Sequence, residues 1–501
     1  MKKLLVTILI FFAFTTTAFA EDAVRIAIID TGISSVSISE DKIVEGKNYI
    51  VENGSTEDTV GHGTSIASII VGSPKAYLAG ICEDAVLVPM VYYVRENDAV
   101  TKGDVALLAQ MIRDAKDIYD CDIINISSGV KTYTPALFDA IEYVGEKGTL
   151  VVSSAGNDGD DTAYYPGAFE NVLCIGGLNE EKNAVWEDSN AHSGVDILTP
   201  GEKVHVSSMK GNRMVVSGTS YSAAWASGAV AKLMSEYPYL TAVRAGQILC
   251  ATADDLGEVG FDNQNGYGRL NMKTAREYAA AGQIFRDVKS EDWFFGNVNF
   301  CVDKHLIDGT SKAEFSPQDK LTRAVLVEAL YRLEGKPIAD AAVSFEDVAA
   351  DSGFADAISW AKQNGIVNGV NETEFAPDAN ITREQIAAIV YRYAVFKGYA
   401  VADYQHTDIS FYDDANDVSD YARIAVQYAV GSNLMKGKTE QTLHPKDNIT
   451  RAEISAVLER CMNFYKDMNV KANGITISED AMSNKIIELL NEYHSNCQKH
   501  T

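Results

Sequence analysis

Short apolar runs rich in branched residues recur through the first half of the chain, at 26–29, 86–91, 123–126, 150–152 and 172–175. Each has the length of a buried strand and falls short of a helix. Between them lie longer stretches, 105–118 and 135–147, where apolar residues return every three or four positions as on one helix face. This alternation predicts an α/β domain over 21–281, with a mostly parallel sheet and helices on both faces. Polar functional groups on such a sheet belong at the carboxyl ends of its strands. Asp30 directly follows the first run, and Asn157 closely follows the run at 150–152.

From about residue 285 the texture changes and an internal repeat appears. Phe285-Arg286-Asp287-Val288 returns as Phe345-Glu346-Asp347-Val348 and, loosely, as Phe411-Tyr412-Asp413-Asp414, where Asp414 stands in place of the valine. Leu321-Thr322-Arg323 returns as Ile381-Thr382-Arg383 and Ile449-Thr450-Arg451. Gly309, Gly369 and Gly437 lie between these landmarks. The copies are predicted at 282–337, 342–398 and 408–466, each a helix, a loop and a helix. The threonine of each Thr-Arg pair precedes an amphipathic run, as an N-cap does. One such unit cannot bury its own apolar face, so three are expected to pack around a shared core. A tail at 467–501 follows. Its segment 478–493 has a helical apolar pattern but carries no recognisable function.

Residues 1–20 read as a secretory signal: Lys2 and Lys3, an apolar stretch, then Ala18-Phe19-Ala20 for cleavage. Its removal takes two lysines and no acid, moving the net charge from -27 to about -29. An envelope this acidic disfavours nucleic acid, and no later segment is long and apolar enough to span a membrane. Seven scattered cysteines without a CxxC do not make a disulfide framework and are expected to be free thiols.

The candidate chemistry is an acid, a base and a hydroxyl. Asp30 precedes Thr31-Gly32, His62 sits in Gly61-His62-Gly63-Thr64, and Ser220 sits in Gly218-Thr219-Ser220 before an Ala-rich stretch. A serine hydroxyl needs a base within reach, and the base needs an orienting acid. Histidine suits that task because its ordinary pKa lies near neutrality. Around these residues the sequence resembles the subtilases, subtilisin-like serine peptidases that carry their triad in this chain order. The resemblance covers nearly all of 24–275.

It implies Ser220 as nucleophile, His62 as base and Asp30 as its orienting partner. It implies Asn157, in Ser153-Ser154-Ala155-Gly156-Asn157, as oxyanion donor. It places Ser127, Ser128 and Gly129, with Ala155 and Gly156, along the substrate. Asp158 would lie at the rim of the first pocket and favour a basic side chain there, with Tyr164 narrowing it. No cofactor or metal is expected. Residues 71–80 lack the polar loop that binds calcium in many relatives, which leaves calcium elsewhere open. Asp158, Asp160 and Asp161 lack the spacing of a calcium cage and read as a solvated loop.

Two further departures stand out. Tyr221, Ala224 and Trp225 occupy positions where the family normally has Met, Pro and His. Only residues 21–29 separate the expected cleavage point from Asp30, too few for the family's propeptide. The repeats resemble S-layer homology modules, which hold proteins to bacterial cell walls. That resemblance implies that Arg323, Arg383 and Arg451, with Trp293, contact a secondary wall polysaccharide. The expected protein is therefore a secreted, wall-held serine endopeptidase acting on proteins or peptides. The competing expectation is a wall-bound structural or binding protein with a silent subtilase domain.

Overall fold

The computed structural model describes residues 23–96, 98–338, 345–399 and 401–472. The expected signal segment, Cys497 and the helical pattern at 478–493 lie outside them. Two compact units are present: the residues up to Arg286 with Lys312–Glu314, and Asp287–Ser311 with those from Phe315 onward.

The first unit is built on seven parallel strands: β1 (Arg25–Asp30), β2 (Lys47–Asn48), β3 (Val86–Val91), β4 (Ile123–Ile126), β5 (Leu150–Ser154), β6 (Val172–Leu178) and β7 (Ile197–Pro200). Their order across the sheet is β7-β6-β5-β4-β1-β3-β2. Alternate residues of β1 serve opposite faces. Ile26 and Ile28 join a core with α1 (His62–Ile70), α4 (Thr219–Glu236) and α5 (Ala242–Ala251). Ala27 and Ile29 join the core beneath α2 (Val105–Asp117) and α3 (Pro135–Glu146). The expected strand and helix runs are all present, and this is the predicted three-layer arrangement. α4 is buried on nearly every side, which explains why its sequence is small and apolar all round.

After β1 the chain goes to the edge strand β2, returns to place β3 beside β1, and then crosses to place β4 on the other side of β1. The carboxyl ends of β1 and β4 therefore flank a topological switch point, where such folds form their crevices.

In the second unit each repeat contributes two helices: α7 (Phe295–Asp303) and α8 (Arg323–Leu333), α9 (Ala355–Gln363) and α10 (Arg383–Phe396), α11 (Arg423–Gly431) and α12 (Arg451–Ala472), with α6 (Met272–Ala281) closing the first unit. The second helix of each repeat packs on the first helix of the next, and α12 returns to α7. The repeats thus form a closed ring. At its centre Leu321 N–H donates to Ile449 O, Ile381 N–H to Leu321 O, and Ile449 N–H to Ile381 O, at 3.1, 3.0 and 3.2 Å. The capping threonines act as expected: Thr322, Thr382 and Thr450 hydroxyl oxygens accept from the backbone N–H of Val325, Gln385 and Glu453.

The three arginines follow the same cycle. Arg323 donates through Nε and Nη2 to Phe375 and Asn368 carbonyls, Arg383 to Leu443 and Lys436, and Arg451 to Phe315 and Asp308. Their exposures are only 6%, 7% and 8%, so each guanidinium is a buried clamp onto the neighbouring repeat. Trp293 is 64% exposed and packs edge-on against Phe294. Asp287, Asp347 and Asp414 each accept two backbone N–H bonds from the loop before the second helix of their repeat. Asp414 therefore corresponds to Asp287 and not to the following valine. The third repeat aligns one residue later than its sequence suggests, with buried Tyr412 in the place of Phe285.

Arg383→Ala would leave the buried Leu443 carbonyl without its donor, at about 1–3 kcal/mol, and would also free the part-buried Lys436 carbonyl. A lower thermal unfolding midpoint is expected by calorimetry. Arg383→Lys should not restore it, because one ammonium lacks the forked geometry. An unchanged midpoint would show that the carbonyls find other donors.

The six described cysteines are buried free thiols, as expected. Burial pushes Cys301 and Cys461 up to about 12, which keeps them protonated and unreactive.

Candidate active site

Asp30 is the last residue of β1 and His62 the first of α1. Two side-chain bonds hold these elements together. Gly63 N–H donates to Thr31 Oγ1 at 2.8 Å, and Ser34 N–H donates to Thr64 Oγ1 at 3.0 Å. Gly63 is required here because a Cβ at that position would lie 2.3 Å from the Gly32 carbonyl oxygen.

The result is a close Asp-His pair. His62 Nδ1 lies 2.9 and 2.8 Å from the two Asp30 carboxylate oxygens. Flanked by two acceptors, Nδ1 must carry the proton, which leaves the Nε2 lone pair as a base. Thr31 N–H also donates to Asp30 Oδ1, at 2.7 Å. Burial lowers the imidazole pKa. The Asp30 charge, the hydrogen bond to it and the Asp58 charge outweigh that effect, so the net shift is upward.

Asp58 was not among the sequence-derived candidates. It is buried, and its carboxylate accepts from Val60 and Gly61 N–H at 2.8 and 2.7 Å, and from Thr64 N–H and Oγ1 at 2.9 and 2.6 Å. It therefore caps the helix that carries His62, a role Gly61 cannot fill without a side chain. The sequence signal is an acid three residues ahead of the glycine that precedes the helix.

Ser220 is the second residue of α4, in the first turn, where backbone N–H groups lack intrahelical acceptors. Its hydroxyl donates to the Ser127 carbonyl at 3.3 Å. Among the described residues it makes no hydrogen bond to His62. The neighbouring Tyr221 ring lies 5.6 Å from the imidazole, so the start of α4 faces the base. A hydroxyl reaches a new partner by stepping between staggered χ1 rotamers, and nucleophile–base bonds commonly tighten only with substrate present.

Asn157 Oδ1 accepts from Thr219 N–H and Thr219 Oγ1 at 2.8 and 2.9 Å. With its carbonyl pinned to the start of α4, its Nδ2 is the donor left beside Ser220. Asn125, fully buried on β4, donates to Ser127 Oγ at 3.0 Å and accepts from Ser227 on α4 at 3.0 Å. It locks the 127–129 segment against the helix of Ser220. Ser127, Ser128 and Gly129 follow β4, and Ala155 and Gly156 follow its neighbour β5, so the two expected substrate segments leave the carboxyl ends of adjacent strands.

Asp158 is already engaged. Tyr164 OH donates to its Oδ2 at 2.7 Å, and Lys131 Nζ lies 3.5 Å away. Among the described residues no group of three or more His, Cys, Asp or Glu could hold a metal ion.

A family model described as "Subtilase family" matches residues 21–268, and one for the S-layer homology domain matches 284–324, 344–387 and 411–454. The major intracellular serine protease of Bacillus subtilis (strain 168) is 30% identical over 223 residues, covering 42% of this chain and 68% of that protein. The chain belongs to the subtilase family. The minor extracellular protease Epr of the same organism is 32% identical over 268 residues, 52% of this chain, and the match spans only 40% of Epr. A solved lanthipeptide protease superposes with a TM-score of 0.45 at 25% identity, over 51% of this chain and 87% of that one. The subtilase domain is thus followed by three S-layer homology domains, the organisation expected from the two sets of motifs.

Proposed function

We propose that this subtilase is a secreted serine endopeptidase held non-covalently at the bacterial cell wall. The observation that carries the catalytic half is the His62 imidazole clamped by both Asp30 oxygens beside the helix start that bears Ser220. In this reading His62 Nε2 takes the Ser220 hydroxyl proton as Oγ bonds to the substrate carbonyl carbon. The resulting oxyanion is held by Asn157 Nδ2 and the Ser220 N–H. The imidazolium then gives its proton to the departing amine as the C–N bond breaks, and water hydrolyses the acyl-serine by the reverse sequence. Asp30 keeps the imidazole in the required tautomer throughout.

A fluorophosphonate probe tests this directly. The full chain should take one label, and Ser220→Ala none. Failure of the wild-type chain to label would favour the silent, wall-bound alternative, for which the Ser220 hydroxyl turned toward Ser127 is the supporting feature.

The pH profile should follow His62. Only the neutral imidazole accepts a proton, and the net upward shift displaces its titration above the ordinary value of about 6.5. Measured kcat/KM should therefore rise with pH and reach half its plateau above that value. A midpoint at or below it contradicts the assignment.

For the wall-binding half, we assign polymer contact to the surface around Arg323, Arg383 and Arg451, whose buried guanidinium groups brace the loops of the neighbouring repeats, with exposed Trp293 offering a sugar-stacking face. Several weak contacts on one module add through multivalency. Cosedimentation of the full chain with purified walls, lost once the walls are stripped of secondary polysaccharide, is the expected result. No helix among the described residues is long and apolar enough to cross a membrane.

A further inference from the structure

Residues 127–129 and 155–156 follow the adjacent parallel strands β4 and β5, and the hydrolytic reading takes them as the two walls of the first substrate crevice. Ser220 Oγ touches one wall at the Ser127 carbonyl, at 3.3 Å. The other wall reaches the same helix start through Gly156 N–H, which donates to Thr219 Oγ1 at 3.2 Å. In that reading, a carbonyl carbon bonded to Ser220 projects its own side chain between 127–129 and 155–156. The crevice is closed behind by a third segment. Val130 N–H donates to Tyr165 O at 2.9 Å, and Tyr165 N–H donates to Val130 O at 2.8 Å.

Tyr164, at the start of that closing segment, lies across the crevice. A Cβ placed on Gly129 would meet Tyr164 Cβ at 2.9 Å and Cδ1 at 3.4 Å. A Cβ placed on Gly156 would meet Tyr164 Cδ2 at 2.8 Å. Opposite edges of one ring thus abut the two walls, and glycine makes room for it at both positions, at 156 together with the Asn190 amide, whose Nδ2 would lie 2.5 Å from a Cβ there. Gly156 has φ +118°, so its backbone also disfavours any larger residue. The ring is anchored beyond the crevice as well. Its hydroxyl donates to Asp158 Oδ2 at 2.7 Å, and Lys131 Nζ sits 5.2 Å from the ring centroid while lying 3.5 Å from the same carboxylate. Cation, ring and carboxylate brace one another, and burying a ring with a satisfied polar tip is favourable.

We propose that Tyr164 plugs the primary specificity crevice, so that the residue supplying the scissile carbonyl must be Gly, Ala or Ser. This inference rests on the hydrolytic reading of Ser220. A large side chain there would have to displace the ring and break the Tyr164–Asp158–Lys131 brace before the carbonyl could approach Ser220.

The test compares matched tetrapeptide p-nitroanilides that differ only in a final Ala or Phe, on the full chain and on Tyr164→Gly and Tyr164→Ala. For the wild type, kcat/KM should favour Ala by at least ~50-fold, the scale on which a pocket rejects a group that does not fit. Each variant should lower that ratio at least tenfold by gaining on Phe. Two results overturn the proposal: a wild type that cleaves Phe as well as Ala, or variants that take the fluorophosphonate label yet keep the wild-type ratio. A wild type that neither labels nor cleaves either peptide overturns the hydrolytic reading, and this inference with it.

Discussion

Ser220→Ala is expected to reduce kcat by on the order of a million-fold, with KM on a peptide substrate changing little; the size is that known for the same group in subtilisin, a relative, and does not come from these distances. The direction does come from the structure. Ser220 is the hydroxyl at the start of α4, beside the Asn157 amide and facing the imidazole across Tyr221. Removing Oγ deletes the atom that bonds the carbonyl but leaves the Asp30–His62 pair and the Asn157–Thr219 bonds in place. Substrate should still bind, and the residual rate should be that of the oxyanion donors alone. Single-turnover kinetics with a chromogenic peptide measures the loss. A Ser220→Ala chain that retained even a hundredth of the wild-type rate would remove Ser220 from the chemistry.

Asp30→Asn should cost about ten-thousand-fold in kcat, again a magnitude known from triad enzymes. Here both carboxylate oxygens face Nδ1, so the imidazole must hold its proton there. An amide in the same place can present its NH2 to Nδ1. The imidazole then accepts at Nδ1 and carries its proton on Nε2, the wrong nitrogen for taking one from Ser220. The variant should also show a lowered His62 pKa, because burial is then opposed only by the Asp58 charge. Two readouts separate this from simple unfolding: the thermal midpoint should move little, and the ascending limb of the remaining pH profile should shift to lower pH. A limb that stays in place would show that Asp30 does not set the histidine titration.

The locally encoded features were legible in the sequence. Five strand runs, the helices at 105–117 and 135–146, and the threonine caps of the repeats all follow from patterns whose physical cause spans a few residues. A strand shows which residues face each side through its alternation, and a cap reaches only the N–H groups of the next turn. The third repeat was misaligned by one position, because Phe411-Tyr412-Asp413-Asp414 offers two aromatics and two acids in succession. Only the backbone bonds to Asp414 decide between them. Asp58 escapes a sequence reading because an acid a few residues ahead of a helix start is a common capping signal and does not by itself mark a site. That Asp158 pairs with Lys131 and Tyr164 was not legible either, because those partners are brought together only by the fold.

On its own, the sequence determined the strand-helix alternation, the order of acid, base and nucleophile, and the threefold repetition of the second half. Tertiary structure alone decided that β4 lies beside β1, that the three repeats close into a ring through buried arginines, and that Tyr164 spans the space between Gly129 and Gly156. The division has one physical origin. Periodicity and capping are interactions between near neighbours and are written wherever those neighbours occur. Which distant segments meet depends on how strands order themselves across a sheet and how helices share a core, and no local pattern specifies that choice.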